Sequence, residues 1–179
     1  LLNPHLYDKQ EISSAGLCYL FAKALNPENR DSASLAVIGM VGDMLEKKMS
    51  KLNNEIVKDA EVIIKRGPLL YPSTRPINRV LEFSSDPYFP ELTGNTQGVI
   101  QLLREARIER GDKGYKSLIE LSEEEMTRLV TALMLHVNKK HQDDLIGNIF
   151  LIKHFNRLED AREMSARINA TSRLGEPYT

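Results

Sequence analysis

The chain has 179 residues, a length that allows one domain or slightly more. Its 24 Lys and Arg against 25 Asp and Glu residues give a net charge of −1, which excludes a uniformly basic DNA-coating protein. The single cysteine, Cys18, excludes an internal disulfide and a cysteine-rich zinc site. No apolar run approaches the ~20 residues that span a bilayer, so we expect a cytoplasmic protein without a membrane partner.

The first residue is Leu1 instead of methionine, and no cationic signal segment follows it, so we expect a piece of a longer protein. Apolar residues then recur at helical spacing. Ser13 or Ser14 is the predicted N-cap of a first helix, and Asp31 or Ser32 is that of a second helix. The third predicted helix carries Leu52, Ile56, Ala60, Ile63 and Ile64.

Prolines and glycines interrupt residues 67–94, which indicates a domain border or an insertion. Ser122 and Glu125 have the spacing of a capping box at the start of another helix. Asp143 and Asp144 can start a further helix, and residues 158–168 carry the apolar spacing of the last one. We find no persuasive period-two alternation, and the predicted fold class is mainly α.

The segment Gly39-Met40-Val41-Gly42-Asp43 places two glycines and a carboxylate in the second helix. Each glycine costs about 1 kcal/mol relative to alanine in a helix, so close packing or the approach of a ligand must offset that cost. A buried Asp43 would need a cation, a metal or several donors. The alternative is an exposed Asp43 beside two glycines that serve packing.

A second candidate segment covers residues 165–175, where Arg167, Asn169 and Arg173 are separated by small side chains. Arginine forks suit phosphate, and small neighbours allow a backbone to approach closely. The alternative is a basic helix C-terminus that complements the helix dipole. The histidines, His5, His136, His141 and His154, have no metal-binding spacing, and we interpret them as solvated or hydrogen-bonded to a partner.

Several short segments together resemble the archaeal RecJ-like nucleases of the DHH phosphoesterase superfamily. The resemblance is greatest to the GINS-associated nuclease, the archaeal relative of the cell-division-cycle subunit of the eukaryotic replicative helicase. It covers residues 1–64 and 160–179. The matching segments are Asn3-Pro4-His5, residues 12–16, residues 37–43, Arg167-Ile168-Asn169-Ala170 and Arg173-Leu174-Gly175.

The resemblance implies that Asp43 binds catalytic Mn²⁺ or Mg²⁺, and that Arg167, Asn169 and Arg173 hold DNA phosphate beside the metals. It implies a longer parent that is a single-strand-specific DNA exonuclease. The earlier aspartate motif and the Asp-His-His motif of the family are missing from this chain. We therefore expect the isolated chain to bind no metal and to be inactive.

The resemblance also implies a helical fragment of an α/β DHH domain that carries a helical interaction insertion. The predicted divisions are 1–66 for the DHH domain, 67–158 for the insertion, and 159–179 for the return to the DHH domain. The insertion would dock a GINS subunit. Its candidate interface residues are Tyr71, Phe83, Tyr88 and Phe89, since aromatic rings on loops are good anchors; the alternative is that they fill the insertion's own core. The alternative function is a small helical DNA-binding or scaffold protein without nuclease parentage.

Overall fold

The computed structural model describes residues 11–137, 145–154 and 156–175. Its α-helices are α1 (Ser14–Leu25), α2 (Ala33–Gly42), α3 (Lys51–Asp59), α4 (Ile77–Glu82), α5 (Thr96–Glu105), α6 (Glu123–His136) and α7 (Ala161–Leu174). Its strands are β1 (Ile63–Pro68), β2 (Ile146–His154) and β3 (Arg157–Asp160). The prediction of a mainly α chain is therefore confirmed for these residues, but the strands were not predicted.

The strands form one sheet in the order β1-β2-β3. Strands β2 and β3 are antiparallel, with Leu151 opposite Asp160 and His154 opposite Arg157. None of the helices in the described ranges is long and apolar enough to cross a membrane.

Three helix predictions are wrong where the chain forms strands, and in the last predicted helix this concerns Leu158, which belongs to β3. The third predicted helix ends at Asp59, because Glu61 adopts a positive φ of 50°, and Ile63 and Ile64 belong to β1. The helix predicted after Asp143 is strand β2 in the part that the structure describes. Residues 149–152 are all buried, and such a continuous apolar run cannot be told from a buried helix by its periodicity.

Local helix signals were interpreted correctly elsewhere. Ser13 caps α1, where its side chain accepts a hydrogen bond from the Gly16 N–H. Ser122 and Glu125 form the predicted capping box of α6. The motif Asn3-Pro4-His5, together with His141, Asp143 and Asp144, lies outside the described residues.

The chain divides into two compact units. The discontinuous unit comprises residues 1–64 and 150–179, and the inserted unit comprises residues 65–149. The buried core of the discontinuous unit includes Val37, Met40, Ile56, Phe150 and Ile152. The fully buried side chains of the inserted unit include Leu81, Phe89, Leu103, Leu118 and Leu129. The predicted domain boundaries, at residues 67 and 158, stay predictions.

Candidate functional site

Helix α2 ends where it packs against α7. A Cβ atom added to Gly39 would lie 2.6 Å from the Cβ of Ala15 on α1. One added to Gly42 would overlap the Ser165 hydroxyl on α7. The two glycines are therefore explained by the close approach of neighbouring helices on two sides of α2.

Asp43 follows directly as the C-cap residue of α2. Its backbone N–H donates to the Gly39 carbonyl oxygen at 3.0 Å, and the residue is exposed. Within the described part of the chain, its carboxylate has no hydrogen bond or ion pair. A helix C-terminus carries partial negative charge, so it does not stabilise a carboxylate there, whereas a cation would.

Buried polar contacts fix the start of α7 beside this helix end. Asp160 is buried and caps α7, because its carboxylate accepts the Arg162 N–H at 2.8 Å. The Arg162 guanidinium forms an ion pair with the buried carboxylate of Glu46, three residues after Asp43. Sequence reasoning missed this pair, since its members are 116 positions apart and Glu46 lies in a polar segment typical of a solvated turn.

The predicted phosphate-binding residues lie on different sides of α7. At about 100° per residue, Asn169 and Arg173 are within about 80° of Ser165, the residue that contacts α2. Arg167 is about 200° from Ser165, on the opposite side. There its guanidinium is paired with Glu163 and lies 3.8 Å from the Glu159 carboxylate. Asn169 and Arg173 thus share the face of α7 that carries Ser165, whereas the Arg167 guanidinium lies beside two carboxylates.

The described residues do not build a complete metal site. No group of three His, Cys, Asp or Glu side chains in the described ranges is placed to hold a metal ion. Asp43 can supply one carboxylate ligand, whereas Mn²⁺ and Mg²⁺ take several oxygen or imidazole ligands. These residues alone therefore do not fit a two-metal centre, and the remaining ligands would have to come from other parts of a longer protein.

The candidate interface rings of the inserted unit differ in exposure. Tyr71, Phe83 and Tyr88 are exposed, and the Arg79 guanidinium lies 6.0 Å from the centroid of the Phe83 ring. Phe89 is fully buried, so the interface role expected for it is corrected to that of a core residue. Sequence could not separate Phe89 from its neighbour Tyr88, because both stand in one proline-flanked loop.

The histidine interpretation holds for His136. Its Nδ1 atom lies 2.8 Å from the Glu91 carboxylate, within the inserted unit. The contact is a hydrogen bond between the two side chains, as the interpretation expects.

Residues 70–146 match the family model of the DHH-CID domain. This match supports the resemblance to the DHH superfamily, and all of the matched residues lie within the inserted unit. A protein of Methanocaldococcus jannaschii described as "Uncharacterized protein MJ0831" is 26% identical over 181 residues. The aligned region covers 97% of this chain and 39% of that protein. The chain thus spans about two fifths of the length of the relative that it matches.

Proposed function

We propose that this chain is part of a DHH-superfamily nuclease related to the GINS-associated nuclease. The longer protein hydrolyses phosphodiester bonds of single-stranded DNA with Mn²⁺ or Mg²⁺. The discontinuous unit contributes one metal ligand and a phosphate-binding helix, and the inserted unit docks the nuclease to a GINS subunit. The observation that carries the proposal is the packing of Gly42 against Ser165, which sets Asp43 beside the helix of Asn169 and Arg173.

The charges at this contact support a substrate phosphate bridged to a cation. Asp43 is an exposed carboxylate at the negative end of α2, where a bound cation is favourable. Asn169 and Arg173 are exposed on α7, about 6 and 12 Å along the helix axis from Ser165. An amide and a guanidinium at that range suit a phosphate that a metal ion holds on its other side.

The exposed rings of the inserted unit support its proposed docking role. This compact unit, 65–149, has buried side chains of its own and exposes Tyr71, Phe83 and Tyr88. Exposed aromatic rings on a rigid scaffold are frequent anchors of protein interfaces.

The test of the nuclease proposal is the Asp43→Asn substitution in the full-length protein. We expect hydrolysis of 5′-labelled single-stranded DNA to fall by at least about 100-fold, because an anionic ligand at the reacting phosphate is lost. The matched control is Asp31→Asn, which removes an exposed carboxylate before α2 and should leave turnover unchanged. Unchanged turnover of Asp43→Asn at saturating Mn²⁺ would show that Asp43 is only a helix cap.

A further inference from the structure

The inserted unit contains a groove that neither the proposed metal site nor the phosphate helix uses. It lies between the loop that follows α4 and the last turn of α6, with a volume of about 450 Å³. We call it the Tyr88 groove. The residues that line it include Asp86, Pro87, Tyr88, Pro90, Leu135 and His136.

One wall of the Tyr88 groove is a loop whose shape is held by internal hydrogen bonds. The Ser84 hydroxyl donates to the Pro87 carbonyl oxygen at 2.7 Å, and the Thr93 hydroxyl donates to the Ser84 carbonyl oxygen at 2.8 Å. The Phe89 N–H donates to the Thr93 hydroxyl oxygen at 3.1 Å, and the Phe89 ring is buried beneath the loop. Tyr88 is nevertheless 62% exposed. These hydrogen bonds hold the backbone that carries Tyr88, which lowers the entropy cost of ordering the loop on binding.

The other wall is the end of α6. Leu135 is 83% exposed there, and the His136–Glu91 contact joins this helix end to the loop that carries Tyr88. A single exposed apolar residue needs no explanation. Here an exposed leucine and an exposed tyrosine stand on the two walls of one concave site, which is the arrangement of an apolar binding site.

The charged residues that line the Tyr88 groove indicate which chemical groups it can bind. Among the described residues that line it, Asp86 is the carboxylate and none is lysine or arginine. The one histidine, His136, is already engaged by Glu91. The Asp86 carboxylate therefore favours a basic group beside an apolar one.

We infer that the Tyr88 groove binds a short segment of a protein partner in which an apolar side chain is flanked by lysine or arginine. The apolar side chain packs between Tyr88 and Leu135, and the basic group pairs with Asp86. The inference rests on the proposed docking role of the inserted unit and names the surface and the partner chemistry.

The first experiment needs no knowledge of the partner. A displayed library of random dodecapeptides is selected against the 179-residue chain, and the selected peptides are titrated onto it by isothermal calorimetry. We expect peptides with adjacent apolar and basic residues, at least about 10-fold weaker binding to Leu135→Asp, and weaker binding to Asp86→Lys. The matched control is Leu25→Asp, which alters a leucine that is 73% exposed at the end of α1 and should leave affinity unchanged.

Circular dichroism should show that both leucine variants fold, since each side chain is exposed in the wild type. Failure to select a binder, or equal affinity for the wild type and Leu135→Asp, overturns the inference.

The second experiment separates the groove from the proposed partner. The full-length protein and its Leu135→Asp variant are titrated with the purified GINS complex of the same organism. Loss of binding in the variant, with exonuclease activity retained, supports both proposals. Equal GINS binding by the wild type and the variant would mean that GINS docks elsewhere on the protein. The Tyr88 groove would then be excluded as the GINS site, and the docking role of the inserted unit would stand. If the wild type does not bind GINS but selected peptides require Leu135, the proposed partner is wrong and the groove stands.

Discussion

Single side-chain atoms decide how closely the helices of the discontinuous unit pack. Gly39 faces the Cβ atom of Ala15, which cannot move without its backbone, whereas Gly42 faces the rotatable hydroxyl of Ser165. A side chain at Gly39 would therefore meet an atom fixed to the backbone, whereas one at Gly42 would meet an atom that can rotate away.

Gly39→Ala is expected to lower the free energy of unfolding by about 1–2 kcal/mol, because overpacking outweighs the gain in helix propensity. Gly42→Ala should stay within about 0.5 kcal/mol of the wild type, since Ser165 can rotate and alanine favours the helix. Urea unfolding of both variants measures the difference. If Gly39→Ala proves as stable as Gly42→Ala, the helices separate more easily than this packing implies.

Asp59 is the centre of a polar network on α1 and α3. Its carboxylate accepts a hydrogen bond from Lys23 at 2.6 Å and one from the Tyr19 hydroxyl at 2.8 Å, and the Arg30 Nε atom lies 3.3 Å away. The Lys23 hydrogen bond lowers the pKa of Asp59 below its ordinary value of 3.8, against the opposing effect of burial. Burial, with the Asp59 hydrogen bond, raises the pKa of Tyr19 to about 12.

Since the pKa of Asp59 is lower in the folded state, its stabilisation is present above about pH 4 and is lost as the pH falls further. Asp59→Asn should therefore lose less stability than the wild type between about pH 5 and pH 3. Urea unfolding across that range measures both slopes, with Glu28→Gln as the control at an exposed carboxylate. Parallel slopes for Asp59→Asn and the wild type would show that other carboxylates dominate acid unfolding.

At the scale of whole elements, reciprocal caps define helix starts in the inserted unit. The Ser122 hydroxyl accepts the Glu125 N–H at 3.2 Å, and the Glu125 carboxylate accepts the Ser122 N–H at 2.8 Å. Lys116 donates to the same carboxylate at 2.8 Å and, as the largest cause, lowers the pKa of Glu125. A second box, between Ser117 and Glu120, starts a short 3-10 helix just before α6.

Ser122→Ala should lower the free energy of unfolding by about 1 kcal/mol, because the Glu125 N–H loses its acceptor at the start of α6. Glu124→Ala is the control in the same turn: its carboxylate is exposed and reaches Arg128 only at 4.0 Å, so we expect a loss of less than about 0.5 kcal/mol. Thermal or urea unfolding checks the pair. Equal effects would mean that the first-turn charges contribute as much as the cap.

At the scale of the whole molecule, the chain leaves the discontinuous unit after Ile64 and returns to it at Phe150. Ile64 lies on β1 and Phe150 on β2, and neighbouring strands of a sheet are about 5 Å apart. A short linker can join these strands. The core of the discontinuous unit also contains Phe150 and Ile152, which fall inside the predicted insertion 67–158.

Replacing residues 65–149 by a short glycine-serine linker in the full-length protein should retain exonuclease activity and abolish GINS binding. The matched variant replaces 67–158, which also removes Phe150 and Ile152 from the core, and it should lose stability and activity. Nuclease assays and calorimetric titration with GINS measure both functions. Loss of nuclease activity with retained GINS binding in the first variant would make the inserted unit a catalytic scaffold.

The sequence by itself determined what local interactions control. Serine caps, the capping box of α6 and the helical spacing of α1 and α2 act within a few residues, so they could be predicted. The segments around Asp43 and Arg173 could also be singled out in the sequence as candidate functional motifs. The spatial relation between the two segments could be found only from the fold, because the packing of Gly42 on Ser165 sets Asp43 beside α7.

Tertiary structure alone decided the rest. Residues 149–152 form a strand because β1 and β3 satisfy their backbone hydrogen bonds, although an apolar run of that length is compatible with a helix. Arg167 turns toward Glu159 and Glu163, while Glu46 meets Arg162 across 116 positions. Tyr88 is exposed and Phe89 buried because one loop bends around a core that forms from distant residues. Burial and charge pairing depend on such distant neighbours, and a local pattern does not encode them.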